Sequence, residues 1–150
     1  MAQKARLTFH GGVGSVTGAN FLFEVAGKKI LVDCGMVQGS NFADRENHQD
    51  FPYDPSSIDV LLVTHAHIDH IGRIPKLVAA GFHGKIFSTR ETKAVTELMF
   101  ADALKLIEDE CRRTGTLPLY EHKDVVNALS LWNEIPYHKS FSLFQKLQFF

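Results

Sequence analysis

Residues 59–72 read DVLLVTHAHIDHIG, an apolar run that leads directly into three histidines and one aspartate. The continuous apolar run predicts a strand that is covered on both faces. His65 and His67 are two residues apart, so an extended backbone points both imidazoles to the same side. Asp69 and His70 follow where a helix is expected to begin. Because imidazole and carboxylate are zinc donors, and ligand sites in α/β sheets lie beyond the carboxyl ends of strands, the pattern predicts a metal site.

Four donors on so short a segment can hardly surround a single tetrahedral ion. Catalytic zinc usually takes three protein ligands and keeps one position for water. The set is therefore expected to divide, with His65 and His67 starting one site and Asp69 and His70 starting its neighbour. Two ions about 3.5–4 Å apart would hold a bridging hydroxide and stabilise both the attacking and the leaving oxygen. A metal lowers the pKa of its bound water to about 7, which predicts hydrolytic chemistry.

The composition is that of one globular domain. The chain has 150 residues, of which 45% are hydrophobic and 22% charged, enough to build a core. A net charge of −1 lacks the basic excess of nucleic-acid-binding domains, so charge alone does not indicate RNA. No apolar run approaches the roughly 18 residues of a membrane span, and no secretory signal is expected. Cys34 and Cys111 make no disulfide framework, so a cytoplasmic location is expected.

The segments before the histidine cluster read as strands joined by turns. The stretch HGGVGSVTG, residues 10–18, could bind a phosphate through its backbone amides, or it could be a tight strand connection near the metals, which is the interpretation we favour. It lacks the spacing and the lysine of a P-loop, so nucleotide binding is not expected. Two β-prone runs around Ala26–Gly27 predict a hairpin. The predicted elements are a strand at 6–9, the two hairpin strands at 19–25 and 28–35, and a long loop at 35–57.

The segments after the cluster alternate between helix and strand. The spacing predicts a helix over 70–81, a strand over 85–89, a long helix from a Ser88–Glu91 capping box to about residue 112, a helix over 121–132, and an alternating strand over 140–150. The long helix carries an apolar stripe that is expected to face the core, namely Val95, Leu98, Met99, Leu106 and Ile107. Hairpins followed by this β–α order favour an α/β layered sandwich with a mixed sheet.

The run HAHIDH resembles the HxHxDH motif of the metallo-β-lactamase fold, an αββα sandwich with a mixed sheet. Asp33, in ILVDCG, matches the aspartate that ends an earlier strand in that superfamily and helps to orient the metal site. The resemblance implies four metal ligands, His65, His67, Asp69 and His70, and implies that Asp33 and Asp69 are the catalytic residues. Cys34 is expected to be a small buried residue and not a nucleophile.

Four longer stretches are similar to the β-CASP group of RNA-processing nucleases: residues 11–25, 33–39, 51–77 and 119–141. The resemblance covers essentially the whole chain. It implies a zinc-dependent hydrolase that cleaves RNA phosphodiester bonds with a hydroxide activated by two zinc ions, and it implies RNA as the partner. A homodimer is left open. Residues 1–150 are then expected to be the N-terminal part of a metallo-β-lactamase domain.

The same resemblance indicates what this segment lacks. Family members complete the site with a further histidine, a bridging aspartate and a last histidine beyond an inserted β-CASP domain, all expected downstream. The remaining histidines are expected to be structural or on the surface, namely His10, His48, His83, His122 and His138. Two donors for each metal is one fewer than usual, so the isolated chain is expected to bind zinc weakly and to have little or no nuclease activity.

Two other functions remain open at this point. The same fold serves small-molecule hydrolases that act on thioesters or lactones, and a nuclease-like chain can instead be a non-catalytic RNA-binding or scaffold module. The intact HAHIDH argues against the scaffold. An inserted domain of about 150–200 residues downstream would favour the nuclease, whereas a short run to the missing ligands would favour the small-molecule hydrolase.

Overall fold

The computed structural model describes residues 4–39, 43–144 and 147–149. Its elements follow in chain order: β1 (Arg6–Gly11), β2 (Asn20–Val25), β3 (Lys28–Val32), α1 (Ala43–His48), β4 (Val60–Leu62), α2 (Ile68–Ile71), α3 (Ile74–Ala79), β5 (Lys85–Thr89), α4 (Arg90–Thr114), α5 (His122–Ser130), β6 (Trp132–Ile135), β7 (Phe141–Phe144) and β8 (Leu147–Phe149).

Strands β1 to β6 form one sheet in their sequence order. The first three strands are antiparallel to one another, whereas β3, β4, β5 and β6 run parallel. Parallel neighbours need long crossovers, and these are supplied by α1 and by the helices α2 to α5. Strands β7 and β8 pair separately as an antiparallel ladder. The mixed sheet predicted from the sequence is confirmed.

The β2–β3 hairpin turns at Ala26 and Gly27, as predicted. Both residues have positive φ angles, 54° and 74°. Two consecutive left-handed residues form the turn whose twist matches that of the flanking strands. The turn sets the pairing of Val25 with Lys28 and so the register of the whole hairpin.

One face of the sheet carries the core. Neighbouring strands align Leu22, Leu31, Leu61, Ile86 and Trp132 in a row across it, and each is at most 6% exposed. Helices α3, α4 and α5 cover this row with their own buried apolar side chains. Burying one such side chain stabilises the fold by about 1.5–3 kcal/mol, so this row fixes the helices to the sheet.

The opposite face of the sheet is also apolar but only partly covered. Two rows of side chains lie on it, Phe9–Phe21–Val32–Leu62–Phe87 and Leu7–Phe23–Ile30–Val60, and of these Ile30 and Val60 are buried. Leu7 and Phe9 are 51% and 54% exposed. The β7–β8 ladder approaches the far end of the first row, where the ring centroids of Phe87 and Phe141 are 6.1 Å apart. Helices on one face and a second β layer at the other are the layers of the predicted αββα sandwich that this N-terminal part contains, and they agree with the prediction.

The helix predicted over 70–81 is in fact two helices, α2 and α3. Pro75 is the cause, because it has no N–H for a continuous helix and instead occupies the first turn of α3. The prediction of one long loop over 35–57 was also incomplete. It contains α1 and a single 3-10 turn at Pro55–Ser57, which Asp54 caps by accepting from the backbone N–H of Ser56.

The capping box predicted for Ser88 and Glu91 is wrong. Thr89 caps α4 instead, and its side chain accepts a hydrogen bond from the backbone N–H of Thr92. Ser88 is buried, and its hydroxyl accepts a 2.8 Å hydrogen bond from Nε1 of Trp132. The two neighbouring hydroxyl residues therefore have different roles, because strand alternation turns Ser88 into the core.

Two further boundaries near the carboxyl end differ from prediction. The helix predicted over 121–132 ends at Ser130, and the strand β6 begins at Trp132 beside β5. The single strand predicted over 140–150 is described as two short strands, β7 and β8. Residues 145, 146 and 150 of that prediction lie outside the described residues.

The apolar stripe predicted on α4 is only partly buried. The buried side chains are Thr96, Phe100 and Leu104, and two members of the predicted stripe, Met99 and Ile107, pack partly buried against the core. Val95, Leu98 and Leu106 are instead 48%, 72% and 62% exposed. Apolar residues lie on more than one face of this helix, and the position of Phe100 against Trp132 decides which face is buried. In the parts of the chain that the structure describes, no helix combines the length and the apolar character needed to cross a bilayer.

Candidate metal centre

The predicted site residues lie beyond the carboxyl ends of two neighbouring parallel strands, with Asp33 after β3 and the four predicted metal ligands after β4. β3 and β4 end at Val32 and Leu62, which are direct partners in the sheet. Asp33 therefore lies beside the segment that follows β4, and its backbone N–H donates to the Leu62 carbonyl at 2.9 Å. His67 is extended and precedes α2, the short helix that carries Asp69 and His70. Sheet pairing thus brings Asp33 to the histidine cluster.

Asp33 is the buried carboxylate beneath the cluster. It is 1% exposed and adopts a left-handed backbone conformation with φ 60°, which aspartate tolerates better than most residues. Its Oδ1 accepts from the backbone N–H of Thr64 at 2.8 Å, and its Oδ2 lies 2.8 Å from both the Thr64 hydroxyl and His70 Nδ1. Three donors therefore converge on one carboxylate, which fixes the orientation of the His70 ring.

The His65 imidazole contacts both of the other imidazoles of the cluster. The ring centroid of His65 lies 4.0 Å from that of His70 and 4.6 Å from that of His67. His65 Nε2 and His67 Nδ1 are 3.1 Å apart, and His70 Nε2 is 3.7 Å from an oxygen of Asp69. The structure therefore brings together all four predicted ligands, as one His65–His67 pair and one Asp69–His70 pair.

The spacing within these pairs fits a divalent metal. Two nitrogens on one tetrahedral zinc, each about 2.0–2.1 Å from the ion, are about 3.3–3.4 Å apart. The 3.1 Å between His65 Nε2 and His67 Nδ1 is close to that value. Within residues 4–39, 43–144 and 147–149, however, no group of three or more candidate ligands is placed to hold an ion. The donor chemistry thus fits a metal, with two ligands for each ion instead of three.

The electrostatics favour the metal-binding form of His65. Burial lowers the pKa of this imidazole, and the neighbouring His70 and His67 lower it further against the attraction of Asp33 and Asp69. A lowered pKa keeps the ring neutral at neutral pH, and only the neutral ring offers a nitrogen lone pair to a metal.

Backbone contacts, which the sequence analysis missed, hold α2 in place. Cys34 and Met36 donate their backbone N–H groups to the carbonyls of His70 and Ile68, at 2.8 and 3.1 Å. Ala19, at the end of the glycine-rich connection, donates to the Asp69 carbonyl at 2.9 Å. These donors satisfy the carbonyls that a four-residue helix leaves free. The interpretation of residues 10–18 as a connection near the site agrees with this contact.

Gly35 makes the closest approach in this arrangement. A Cβ added there would lie 1.5 Å from the Asp69 carbonyl oxygen and 2.1 Å from its carbon. The Gly35 carbonyl also accepts a 2.6 Å hydrogen bond from Nε of the buried Arg73. The glycine in DCG was the only signal for this contact in the sequence, and it does not reveal which backbone lies opposite.

The side chains predicted to be structural have structural positions. Cys34 is 0% exposed, and burial raises the pKa of its thiol to about 12, so it is no nucleophile at neutral pH. His48 and His83 lie within hydrogen-bond distance of backbone carbonyls. His122 and His138 are exposed. These predictions are confirmed.

His10 is the remaining histidine, and it packs against the core. Its ring centroid is 5.0 Å from that of Tyr53. Its Nε2 is buried and has no hydrogen-bond partner among the residues that the structure describes. Burial lowers the pKa of this imidazole, and Glu24 opposes the effect only in part. The fold therefore favours the neutral ring.

We expect acid to destabilise the protein partly through His10. Its pKa is lower in the folded state than the unfolded value of about 6.5, so the unfolded state binds more protons below that pH. The stability that neutral His10 contributes is present above about pH 6.5 and is lost as the pH falls toward the folded pKa. Denaturant unfolding between about pH 7.5 and 5 should show a shallower loss of stability in His10→Phe than in the wild type.

His122→Gln is the matched control for these unfolding measurements, because His122 is an exposed histidine. If His10→Phe and the wild type lose stability equally over this range, the buried imidazole does not contribute to the acid sensitivity.

A family model described as the metallo-beta-lactamase superfamily matches residues 14–136. Ribonuclease TTHA0252 from Thermus thermophilus is 37% identical over 132 residues, 88% of this chain and 28% of the relative. The cleavage and polyadenylation specificity factor subunit 3-I from Arabidopsis thaliana is 33% identical, over 86% of this chain and 18% of the relative. The transcription termination factor FttA from Cenarchaeum symbiosum is 31% identical, over 87% of this chain and 20% of the relative.

The chain spans less than a third of the length of these relatives. The predicted resemblance to the β-CASP group of RNA-processing nucleases is confirmed by them. The family match includes Asp33 and the whole histidine cluster, and the family implies a divalent metal at such a site. Fold, site geometry and sequence similarity lead to one conclusion: the chain belongs to the metallo-β-lactamase superfamily.

Proposed function

We propose that the complete protein containing this chain is a zinc-dependent ribonuclease that cleaves RNA phosphodiester bonds at a site with two metal ions. The observation that carries the proposal is the convergence of two donor pairs, His65–His67 and Asp69–His70, above the buried carboxylate of Asp33. Relatives with the names of a ribonuclease and an endoribonuclease support RNA as the substrate. The ligands missing from each pair come from residues outside this chain.

Each residue of the cluster has a role that its contacts support. His65 and His67 would hold one ion, and Asp69 and His70 would hold the other. Asp33 accepts a hydrogen bond from His70 Nδ1–H, which leaves Nε2 of His70 free for the metal. A bound divalent metal lowers the pKa of its water and so supplies the nucleophile at neutral pH. Asp69 places a negative charge beside the ion, which favours binding of the cation.

RNA is a better supported substrate than a small molecule. The relatives include a ribonuclease, an endoribonuclease and a cleavage and polyadenylation factor subunit by name, and none of these names refers to a thioesterase or a lactonase. The non-catalytic scaffold has no specific observation in its favour, because all four donors are present and in contact.

The direct test is an RNA cleavage assay with the complete protein. We expect cleavage of labelled RNA that stops when a chelator removes the metal and returns when zinc is added. An intact RNA substrate with zinc-loaded protein would contradict the proposal, and hydrolysis of a thioester or lactone by the same preparation would favour the small-molecule alternative.

The 150-residue chain alone should behave differently. Because each ion would have only two protein ligands here, we expect weak zinc binding and little or no cleavage. Plasma-emission metal analysis of the purified chain, together with the same RNA assay, measures both. Two tightly held zinc ions, or robust cleavage by the chain, would mean that the ligand set is already complete.

A further inference from the structure

The Thr64 hydroxyl lies between the buried carboxylate and the first histidine of the cluster. Its Oγ1 is 2.8 Å from Asp33 Oδ2 and 3.0 Å from His65 Nδ1. His70 Nδ1 lies 3.5 Å from the same hydroxyl but only 2.8 Å from Asp33 Oδ2, so His70 bonds to the carboxylate directly. Two histidines thus depend on Asp33, one by contact and the other through Thr64.

The position of each proton in this series of hydrogen bonds follows from counting donors. An ionised carboxylate only accepts, whereas a hydroxyl has a single hydrogen to donate. If Thr64 gave that hydrogen to His65, its oxygen would face the oxygen of Asp33 at 2.8 Å with no proton between them. The hydrogen must therefore point to Asp33. The hydroxyl then accepts from His65, which requires a proton on His65 Nδ1.

A proton on Nδ1 leaves Nε2 of the neutral His65 ring with a free lone pair. That nitrogen is the one that lies 3.1 Å from His67 Nδ1, on the side where the first donor pair meets. Ligating histidines generally donate their other N–H to a fixed acceptor, which holds the ring orientation and the tautomer. Thr64 provides this acceptor for His65, as Asp33 does for His70.

We propose that Thr64 is a positioning residue, whose hydroxyl relays the Asp33 carboxylate to His65 and fixes that ring as the Nδ1–H tautomer with Nε2 free for a metal. The proposal deepens the proposed function, because it concerns how the same site is prepared before an ion arrives. It does not depend on the substrate. Thr64 itself is exposed, but the carboxylate that orients it is 1% exposed and makes three hydrogen bonds.

The test reads the tautomers directly in the metal-free 150-residue chain. Long-range proton–nitrogen NMR spectra of the histidine rings, recorded at about pH 8.5 where imidazoles are neutral, distinguish Nδ1–H from Nε2–H. We expect wild-type His65 and His70 to be Nδ1–H, the form that is less common for histidine in water. In Thr64→Val, which keeps the β-branched shape, His65 should revert to mainly Nε2–H while His70 stays unchanged.

Thr64→Ser retains the hydroxyl and should restore the wild-type His65 signal, which a purely structural role of the threonine methyl would not predict. In the complete protein, zinc affinity measured by calorimetry should fall about 10- to 100-fold in Thr64→Val and recover in Thr64→Ser. An Nε2–H ring at His65 in the wild type, or an unchanged His65 in Thr64→Val, would overturn the proposal. If Thr64→Val does not fold, the tautomer of His65 in the wild-type spectrum still tests the proposal by itself. Because no RNA is present, this result is independent of whether the protein is a nuclease.

Discussion

Gly35→Ala is expected to unfold the region around the histidine cluster. The added Cβ would lie 1.5 Å from the Asp69 carbonyl oxygen and 2.8 Å from the His70 backbone nitrogen. These are backbone atoms, so no side chain can rotate away, and the hydrogen bonds that join segment 34–36 to α2 must break. Overpacking typically costs about 1–3 kcal/mol, and this collision should exceed that range. A loss of this size is a large part of a total stability of about 5–15 kcal/mol.

Thermal and urea unfolding monitored by circular dichroism measure this effect. The matched control is Gly115→Ala, where the glycine has φ 74° at the end of α4 but no atom within 4 Å of an added Cβ. That variant should lose only about 1–2 kcal/mol from backbone strain. Equal losses in the two variants would show that the close contact between Gly35 and Asp69 is not a determinant of the fold.

Asp69→Asn in the complete protein is expected to abolish RNA cleavage. The substitution keeps the size of the side chain but replaces a charged oxygen donor with a neutral amide, 3.7 Å from His70 Nε2. Removing groups that only orient a ligand costs about 10- to 100-fold in metal affinity or activity, so loss of a ligand should exceed about 100-fold. Initial rates on labelled RNA, together with the zinc content of the variant, measure both consequences.

Asp109→Asn is the control for this variant, because Asp109 is an exposed aspartate on α4 that pairs with Arg112, one helical turn away. It should retain full activity and zinc content. Turnover by Asp69→Asn at a rate near that of the wild type would mean that the metal site has been assigned to the wrong residues.

The sequence was sufficient for the parts of the site that are local. His65, His67, Asp69 and His70 lie within six residues, so the period of a strand and the start of a helix already place their side chains together. Asp33 was found only through the resemblance to a family, because its partner His70 lies 37 positions away in the chain. Thr64 and Gly35 were missed because their roles depend on distances between segments that no local pattern encodes.

The difference between local and long-range signals also explains which predictions about the fold were wrong. The β2–β3 hairpin and the apolar strand β4 were predicted well, since turn residues and apolar runs are local signals. The buried face of α4 could not be read from its apolar residues, because Val95 and Leu98 are as apolar as the residues that are buried. Contact between Phe100 and Trp132, a residue on β6, decides that orientation. Ser88 and Thr89 both fit a helix cap, and only the sheet determines which one points inward.

A zinc titration of the 150-residue chain, followed through the ring resonances of its histidines, examines whether these side chains converge on a cation. The account predicts that zinc perturbs His65, His67 and His70 together and leaves the signals of His48, His83, His122 and His138 unchanged. Even weak binding is visible in such a titration. Rings of the cluster that do not respond, while zinc binds at other histidines, would contradict the account.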